Sequence, residues 1–458
     1  MSDHPSALSA SSADVIVVGA GLAGLTCARD LHRHGLDVVI LEARDRVGGR
    51  TYSVEIDGQT IELGGQFLGP GQDRAYALAA DLGVSVFPTY GEGDHLVETA
   101  AGRVRRYRGT IPRLSPLALL DAAQAQARFE RLARRIDTDA PWQSPGAVAL
   151  DGQTLETWIR RTTWTRAGRR LFTMACQAVW SCQPSELSLL HALFYARSAG
   201  TLQQVIAVEG GAQQDRLDGG THELAVRLAR RLGDRVHLHL GTPVDRIVQD
   251  EHGVHVAAGD RTWRAAHVVV AIPPTLSGRI TYQPPLPAAR DGLTQRLPMG
   301  TVIKCMAVYP EPFWRSAGLS GQATSLRGPL SAVFDSSPRP GEPGILLGFV
   351  EGAEARFMTA RPAHERRAAV LAQLAELFGP RAASPATYAE QDWGAEPFTR
   401  GAYSAVFPPG AWTQYGHALR PPAGRIHWAG AETAPRWYGY IEGAIRSGEA
   451  AAATITTS

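Results

Sequence analysis

Val15-Ile16-Val17-Val18-Gly19-Ala20-Gly21-Leu22-Ala23-Gly24 is the stretch that decides the architecture. Four β-branched apolar residues in a row read as a strand buried on both faces, the pattern of a parallel sheet. Gly19, Gly21 and Gly24 then follow GxGxxG spacing. The first glycine permits a tight turn, the second lets backbone approach a pyrophosphate, and the third lets a helix pack close to the strand. The helix predicted from Leu22 to about His34 puts Leu25, Ala28 and Leu31 on one side and stops at Gly35. Its N-terminus offers N–H groups and a positive dipole end to an anion. A second apolar strand, Val38 to Leu41, ends at Glu42, whose carboxylate can accept ribose hydroxyls and would repel a 2′-phosphate. Strand, helix and acid in register imply an α/β fold that grips a dinucleotide. The motif alone does not separate NAD from FAD.

Composition narrows the rest. At 458 residues the chain is too long for one ordinary core, so two domains are expected. Apolar content of 44% with 20% charged residues describes a folded globular protein rather than a disordered one. Basic and acidic residues number 46 and 44, a net charge of +2 too balanced to argue for nucleic acid. Cys27, Cys176, Cys182 and Cys305 lack disulfide or metal spacing, which points to a reducing cytoplasm. His237 and His239 would share one strand face without a third ligand, so no metal site is expected. Met1 to Ala13 is polar and Ser-rich and is expected to be a loose tail rather than a signal peptide. No stretch approaches a membrane span. The arginines at 103, 105, 106, 108 and 113 read as a solvated face. Phe129, Leu132 and Ile136 read as one side of a surface helix, with Glu130 and Arg134 paired four apart.

Further motifs choose the cofactor. Arg44-Asp45-Arg46-Val47-Gly48-Gly49-Arg50 follows Glu42 at once, and Glu62-Leu63-Gly64-Gly65 comes soon after. Paired glycines let backbone lie flat against a large planar ligand, and Arg50 can neutralise phosphate. Near the other end stand Trp428-Ala429-Gly430-Ala431-Glu432-Thr433 and Trp437-Tyr438-Gly439-Tyr440-Ile441-Glu442-Gly443-Ala444. Between them lie Gly210 to Arg216, Ala271-Ile272-Pro273-Pro274-Thr275, Pro298 to Cys305, Pro312-Phe313-Trp314, Gly401-Ala402-Tyr403 and Phe407-Pro408-Pro409-Gly410. In these segments the chain resembles the bacterial flavin monoamine oxidases, FAD-dependent amine oxidases, from about Asp14 to Ile455.

The resemblance implies a Rossmann-like FAD-binding domain of the GR2 type, built from residues 13–87, 218–292 and 396–458. An α+β substrate-binding domain would comprise 88–217 and 293–395, and residues 1–12 would be a flexible tail. It implies FAD contacts from Gly19, Gly21, Gly24, Glu42, Arg44, Gly49, Arg50, Gly64, Gly65, Val244, Trp393, Gly430, Glu432 and Ile441. Tyr403 and Tyr440 match two aromatic rings that stand face to face before the flavin, where flat π faces would admit and orient an amine. Lys304 lies in the apolar run Val302 to Met306. A lysine there is rarely buried without reason, and desolvation would lower its pKa. The resemblance gives it the role of holding a water against flavin N5. Ala402 stands where mammalian monoamine oxidases attach FAD through cysteine, which implies a non-covalent flavin.

The implied reaction oxidises an amine, expected to be a primary monoamine, to an imine that hydrolyses to aldehyde or ketone plus ammonia. Dioxygen becomes hydrogen peroxide. The mitochondrial relatives carry a C-terminal membrane anchor that this sequence has no room for, so a soluble cytoplasmic protein is expected. Family members are often dimers, which leaves a homodimer open. L-amino-acid and polyamine or diamine oxidases share the fold. The first would need a cation for a carboxylate and the second an acid for a distal amine; Arg197, Glu209 and Arg327 are candidates. A flavin-dependent desaturase and a non-catalytic flavoprotein are the readings of another class.

Overall fold

The computed structural model describes residues 11–99, 101–109 and 115–457. These gather into two compact units. The first holds the described residues up to Gly49, Leu224–Leu297 and those from Gln414; the second holds Arg50–Glu223 and Pro298–Thr413. Compactness therefore groups residues 50–87 and 396–413 with the second unit, whereas the glycine motifs group them by the ligand they would meet.

In the first unit an eight-stranded sheet runs Thr281–Gln283, Arg246–Gln249, Val254–Ala258, Arg261–Val270, Ser11–Val18, Val38–Leu41, Val236–His239, with Ile426–Trp428 paired to Arg261–Val270. Ser11–Val18 lies parallel to both Val38–Leu41 and Arg261–Val270. Val15 to Val18 are buried, as side chains on a doubly covered strand must be. The strand starts at Ser11, inside the segment expected to be tail, because the main chain of Ser11 and Ser12 pairs with Trp263 and Arg264. Backbone pairing needs no apolar side chain, so hydropathy could not show it. The earlier part of that tail, like Arg113, lies outside the described residues. The helix after the glycines spans Leu22–Arg33 and ends before Gly35, whose φ is +83°. The helix His222–Arg230 buries Leu224, Ala225 and Leu228. Val244 sits in the loop before Arg246–Gln249, packed on the sheet's core.

Two glycines of this unit are required by close approach. A Cβ at Gly24 would strike the Gly19 carbonyl oxygen and lie 3.1 Å from Val17 Cγ1. One at Gly448 would strike the Ala23 carbonyl oxygen and lie 3.0 Å from Cys27 N. The C-terminal helix Ile441–Thr456 thus rests directly on the backbone of Leu22–Arg33.

In the second unit a seven-stranded sheet runs Thr387–Asp392, Val302–Tyr309, Gly344–Glu351, Ala332–Asp335, Leu319–Ser325, Asp94–Glu98, Val104–Tyr107. Val302–Tyr309 and Gly344–Glu351 pair antiparallel along their whole lengths and are buried throughout. Side chains alternate between faces. Ile303, Cys305, Ala307 and Tyr309 face a core that includes Val370, Leu374 and Leu377 of the helix Ala363–Phe378. Val302, Met306 and Val308 face a second core with Ile61, Leu63, Phe349, Trp393 and Ala402. Lys304 and Glu351 fall on that second face by the same alternation. The arginine block forms the exposed outer hairpin, where Arg108 bonds Asp94 at 2.7 Å. The helix expected around Gln126–Ile136 spans Pro116–Ala133, with Phe129 fully buried and Ile136 beyond its end. Glu130 does not serve the expected pair with Arg134; it accepts from the Leu202 N–H at 2.7 Å, at the start of the short helix Leu202–Ile206 that Thr201 caps.

Because the atoms facing Gly448 are helix backbone and cannot swing aside, Gly448→Ala should destabilise the protein by about 1–3 kcal/mol. A thermal melt checks this; an unchanged midpoint would mean the two helices tolerate a wider spacing.

Candidate active site

The second unit's site is built around an amine taken out of water. Lys304 is 2% exposed, on an interior strand paired through Phe349 on one side and Gln391 on the other. It is therefore not an edge lysine that could snorkel to solvent. Its Nζ donates to the Gly64 carbonyl at 2.7 Å and to Gln66 Oε1. Burial lowers its pKa to about 7, opposed by the nearby Glu62 carboxylate and assisted by Arg216. Gln66 Nε2 in turn donates to Ser336 Oγ at 3.2 Å.

The segment carrying those acceptors is tied down residue by residue. Glu62 accepts from Arg216 at 2.9 Å, a buried ion pair, and from the Thr221 N–H at 3.1 Å. The Leu63 carbonyl accepts the Trp393 indole N–H at 2.9 Å, and the Gly65 carbonyl accepts the Thr221 hydroxyl. Arg216 also donates to the Ser337 carbonyl at 2.6 Å. A Cβ at Gly65 would meet open space, so the chain passes there with a bare, fixed backbone.

Tyr403 belongs to the same face. Arg50 Nη1 donates to its carbonyl at 2.7 Å, the edge of Phe349 meets its ring at 5.8 Å and 89°, and the Ala402–Tyr403 peptide is cis. Its hydroxyl donates to Glu351 Oε1 at 2.9 Å, and Ser331 donates to Glu351 Oε2. Burial raises the Glu351 pKa to about 7, opposed by the hydrogen bonds from Ser331 and Tyr403. Sequence reading missed Glu351 and Gln66. The available signal for Glu351 was an acid closing the apolar run Ile345 to Val350. Trp393, with its N–H committed to Leu63, is packed into the core of this face.

The first unit holds the other sequence candidates. No side chain caps the helix Leu22–Arg33, and a Cβ at its N-cap Gly21 would meet nothing within 4 Å. A helix N-terminus without a side-chain cap suits a pyrophosphate. Glu42 is buried and already ordered: Oε2 accepts from the Ala20 N–H at 2.7 Å and Oε1 from the Arg44 N–H at 2.9 Å. A carboxylate has about four acceptor sites, so capacity for a ribose is left over. Gly49 approaches the Gly21 backbone, its added Cβ falling 3.4 Å from Gly21 Cα. Gly430 donates from its N–H to Ser447 Oγ at 2.9 Å, and Glu432 is fully buried beside it. Tyr440 is the N-cap of the helix that Ile441 begins, its ring meeting Trp437 edge-on at 4.9 Å and 78°. Arg197, Glu209 and Arg327, the charges considered for carboxylate or second-amine recognition, are all exposed. Among the described residues no group of three His, Cys, Asp or Glu side chains is disposed to hold a metal, and no helix is long and apolar enough to cross a membrane.

The family model for flavin containing amine oxidoreductase matches residues 22–456. The chain belongs to this family. It is 44% identical over 442 residues to the Mycobacterium tuberculosis protein named "Putative flavin-containing monoamine oxidase AofH", covering 96% of each. It is 40% identical over 456 residues to the L-amino acid dehydrogenase of Synechocystis, covering 97% of this chain and 95% of that one. The solved structure of wild-type putrescine oxidase bound to putrescine matches with a TM-score of 0.93 at 35% identity, over 98% of this chain and 99% of that one. The protein is thus a flavin-dependent amine oxidase with the family's α/β fold, a Rossmann-like FAD-binding part and an α+β substrate-binding part. The uncapped helix N-terminus behind Gly21 fits the phosphates of a dinucleotide.

The two buried titratable groups have opposite linkage to folding. Glu351 holds its proton more tightly when folded, so stability should fall as pH rises from about 4.5 to about 7. Lys304 holds its proton less tightly when folded, so stability should rise as pH climbs from about 7 to about 10.5. Each full swing is on the order of 3–5 kcal/mol. Urea unfolding across pH should show Glu351→Gln flattening the acid limb and Lys304→Met flattening the alkaline one. Limbs unchanged by these substitutions would refute the assignment.

Proposed function

We propose that the protein oxidises a primary monoamine to an imine, which hydrolyses to aldehyde or ketone and ammonia, with dioxygen reduced to hydrogen peroxide. The observation that carries this reading is the buried Lys304 on the same sheet face as Tyr403, in a chain of this family. We propose FAD as the flavin. Its dinucleotide part would be held by Gly19, Gly21, Gly24, Glu42, Arg44, Gly49, Val244, Gly430 and Glu432, and the Ile441 backbone would approach the pyrimidine edge of the flavin. Arg50, Gly64, Gly65 and Trp393 would meet it as well. The FAD-binding domain in this reading is 13–87, 218–292 and 396–458, and the substrate-binding domain is 88–217 and 293–395.

FAD, when bound, accepts the two electrons of amine oxidation and passes them to dioxygen. The chain's own residues bind, orient and exclude water. Lys304, with a pKa near 7, can hold or release a proton at Nζ without leaving its two acceptors. Tyr403 presents a ring whose backbone and hydroxyl are both restrained, and an aromatic face favours developing positive charge on nitrogen. We assign Tyr440 the same role from the family motif. Ala402 offers a buried methyl and no sulfur, which supports non-covalent attachment.

A peroxide-coupled screen of aryl-alkyl amines, diamines and amino acids tests the reading. Monoamines should give the highest kcat/KM. Turnover confined to diamines would favour the chemistry of the putrescine relative, and turnover of amino acids with an artificial acceptor but not dioxygen would favour that of the dehydrogenase relative. Lys304→Met should slow the reaction by roughly 10²-fold or more. Acid denaturation followed by filtration should leave all flavin in the filtrate; colour retained on the chain would overturn non-covalent binding.

A further inference from the structure

Glu351 has no part in the function described so far, yet it is a carboxyl placed fully inside the protein. It is 4% exposed, at the end of a strand whose other residues are glycine or apolar. Both oxygens are used: Ser331 holds one and the Tyr403 phenol holds the other. Burying a carboxyl to make two hydrogen bonds to neutral hydroxyls gains little for folding, since the desolvation it suffers exceeds what such bonds return. The position opposite it in register, Val302, is apolar and would pack against a leucine as readily. The acid is thus expensive as structure, and what it does hold is a ring that the proposed reaction uses.

We propose that Glu351 is a positioning residue that acts through Tyr403, fixing the phenol hydroxyl and hence the plane in which the ring meets the amine. Tyr403 is then set from three sides. Arg50 holds its carbonyl, the Phe349 edge meets its ring, and Glu351 holds its hydroxyl. Ser331 sets the carboxyl in turn, from the first residues of the hairpin that follows Leu330. Of the titratable groups around Glu351, Tyr403 bonds it directly and Cys182 feels its charge, and Lys304 lies two register positions along, the next residue of its strand on the same sheet face. Glu186 and Arg356 also act on Cys182. Glutamine can reproduce both hydrogen bonds, accepting from Tyr403 and donating to Ser331; leucine can reproduce neither.

This inference rests on the reading of Tyr403 as a substrate-facing ring, so its test separates the two. Flavin-loaded wild type, Glu351→Gln, Glu351→Leu, Tyr403→Phe and the Tyr403→Phe/Glu351→Leu double variant are mixed with benzylamine under anaerobic stopped flow. Glu351→Leu should lower the limiting rate of flavin reduction about tenfold with affinity little changed, because a misaligned ring costs rate rather than binding. Glu351→Gln should stay within about threefold of wild type. In the double variant the leucine should add nothing to the loss already caused by Tyr403→Phe. Independently of turnover, the infrared carbonyl stretch of protonated Glu351, identified by its absence in Glu351→Gln, should shift in Tyr403→Phe. Losses that multiply in the double variant, or glutamine failing as badly as leucine, would overturn the proposal, as would an unmoved infrared band. Should Glu351→Leu fail to bind flavin, the glutamine variant and the infrared shift decide the matter. A wild type that no amine reduces would sink the functional reading, while the band would still report whether Glu351 and Tyr403 are coupled.

Discussion

A single buried lysine amine organises the second unit. Lys304 must find acceptors inside the protein, because unpaired N–H donors in that setting would be costly in either protonation state. Gly64 and Gln66 supply them, and the segment Glu62 to Gln66 is consequently fixed at every residue by a partner distant in sequence. Arg216 and Thr221 from one part of the chain and Trp393 from another converge on those few residues. The result is a rigid backbone ribbon over one face of the sheet, with Gly65 left bare. A residue with a side chain at 64 would strike the backbone of residues 50–52, so the ribbon could not lie where the lysine needs it.

The first unit reaches comparable rigidity by a different route. Its glycines remove side chains so that backbone meets backbone: Gly24 against Gly19, and Gly448 against Ala23. Glu42 then staples the phosphate loop by accepting from Ala20 and Arg44 at once. The acid expected to wait for a ribose therefore already orders the loop that would meet the phosphates. Preorganisation of this kind lowers the entropy that ligand binding must overcome.

Legibility in the sequence followed locality. Val15 to Gly24 could be read because strand, turn and helix are consecutive, and each glycine's purpose is visible from its neighbours. Lys304 stood out because a charge in an apolar strand is improbable without a partner, although nothing local named Gly64 or Gln66 as that partner. Glu351 stayed hidden because its meaning depends on register. It matters only once Gly344–Glu351 is paired with Val302–Tyr309 and Tyr403 is brought alongside. The same limit explains Glu130, whose charge looked like half of a helical pair until Leu202 supplied an N–H. It also explains the early start of the first strand, where backbone pairing overrode a polar sequence.

Lys304 and Glu351 carry opposite charges when ionised, stand on one sheet face, and are both driven by burial toward neutrality near the same pH. That coincidence has a consequence for what the face can hold. An ionised carboxylate behind Tyr403 would draw a substrate in as its ammonium, the form whose nitrogen lone pair is occupied and which cannot be oxidised. An ionised lysine would repel it. In the function we propose, desolvation weakens both charges, so the face would favour neither extreme and would reject an uncharged amine least. For that function the Tyr403 ring would supply the electrostatics that matter, a quadrupole that tolerates a neutral nitrogen and strengthens its hold as positive charge develops. In this reading the apolar strands around the two groups, Ile345 to Val350 and Val302 to Met306, act as the dielectric that makes the selection.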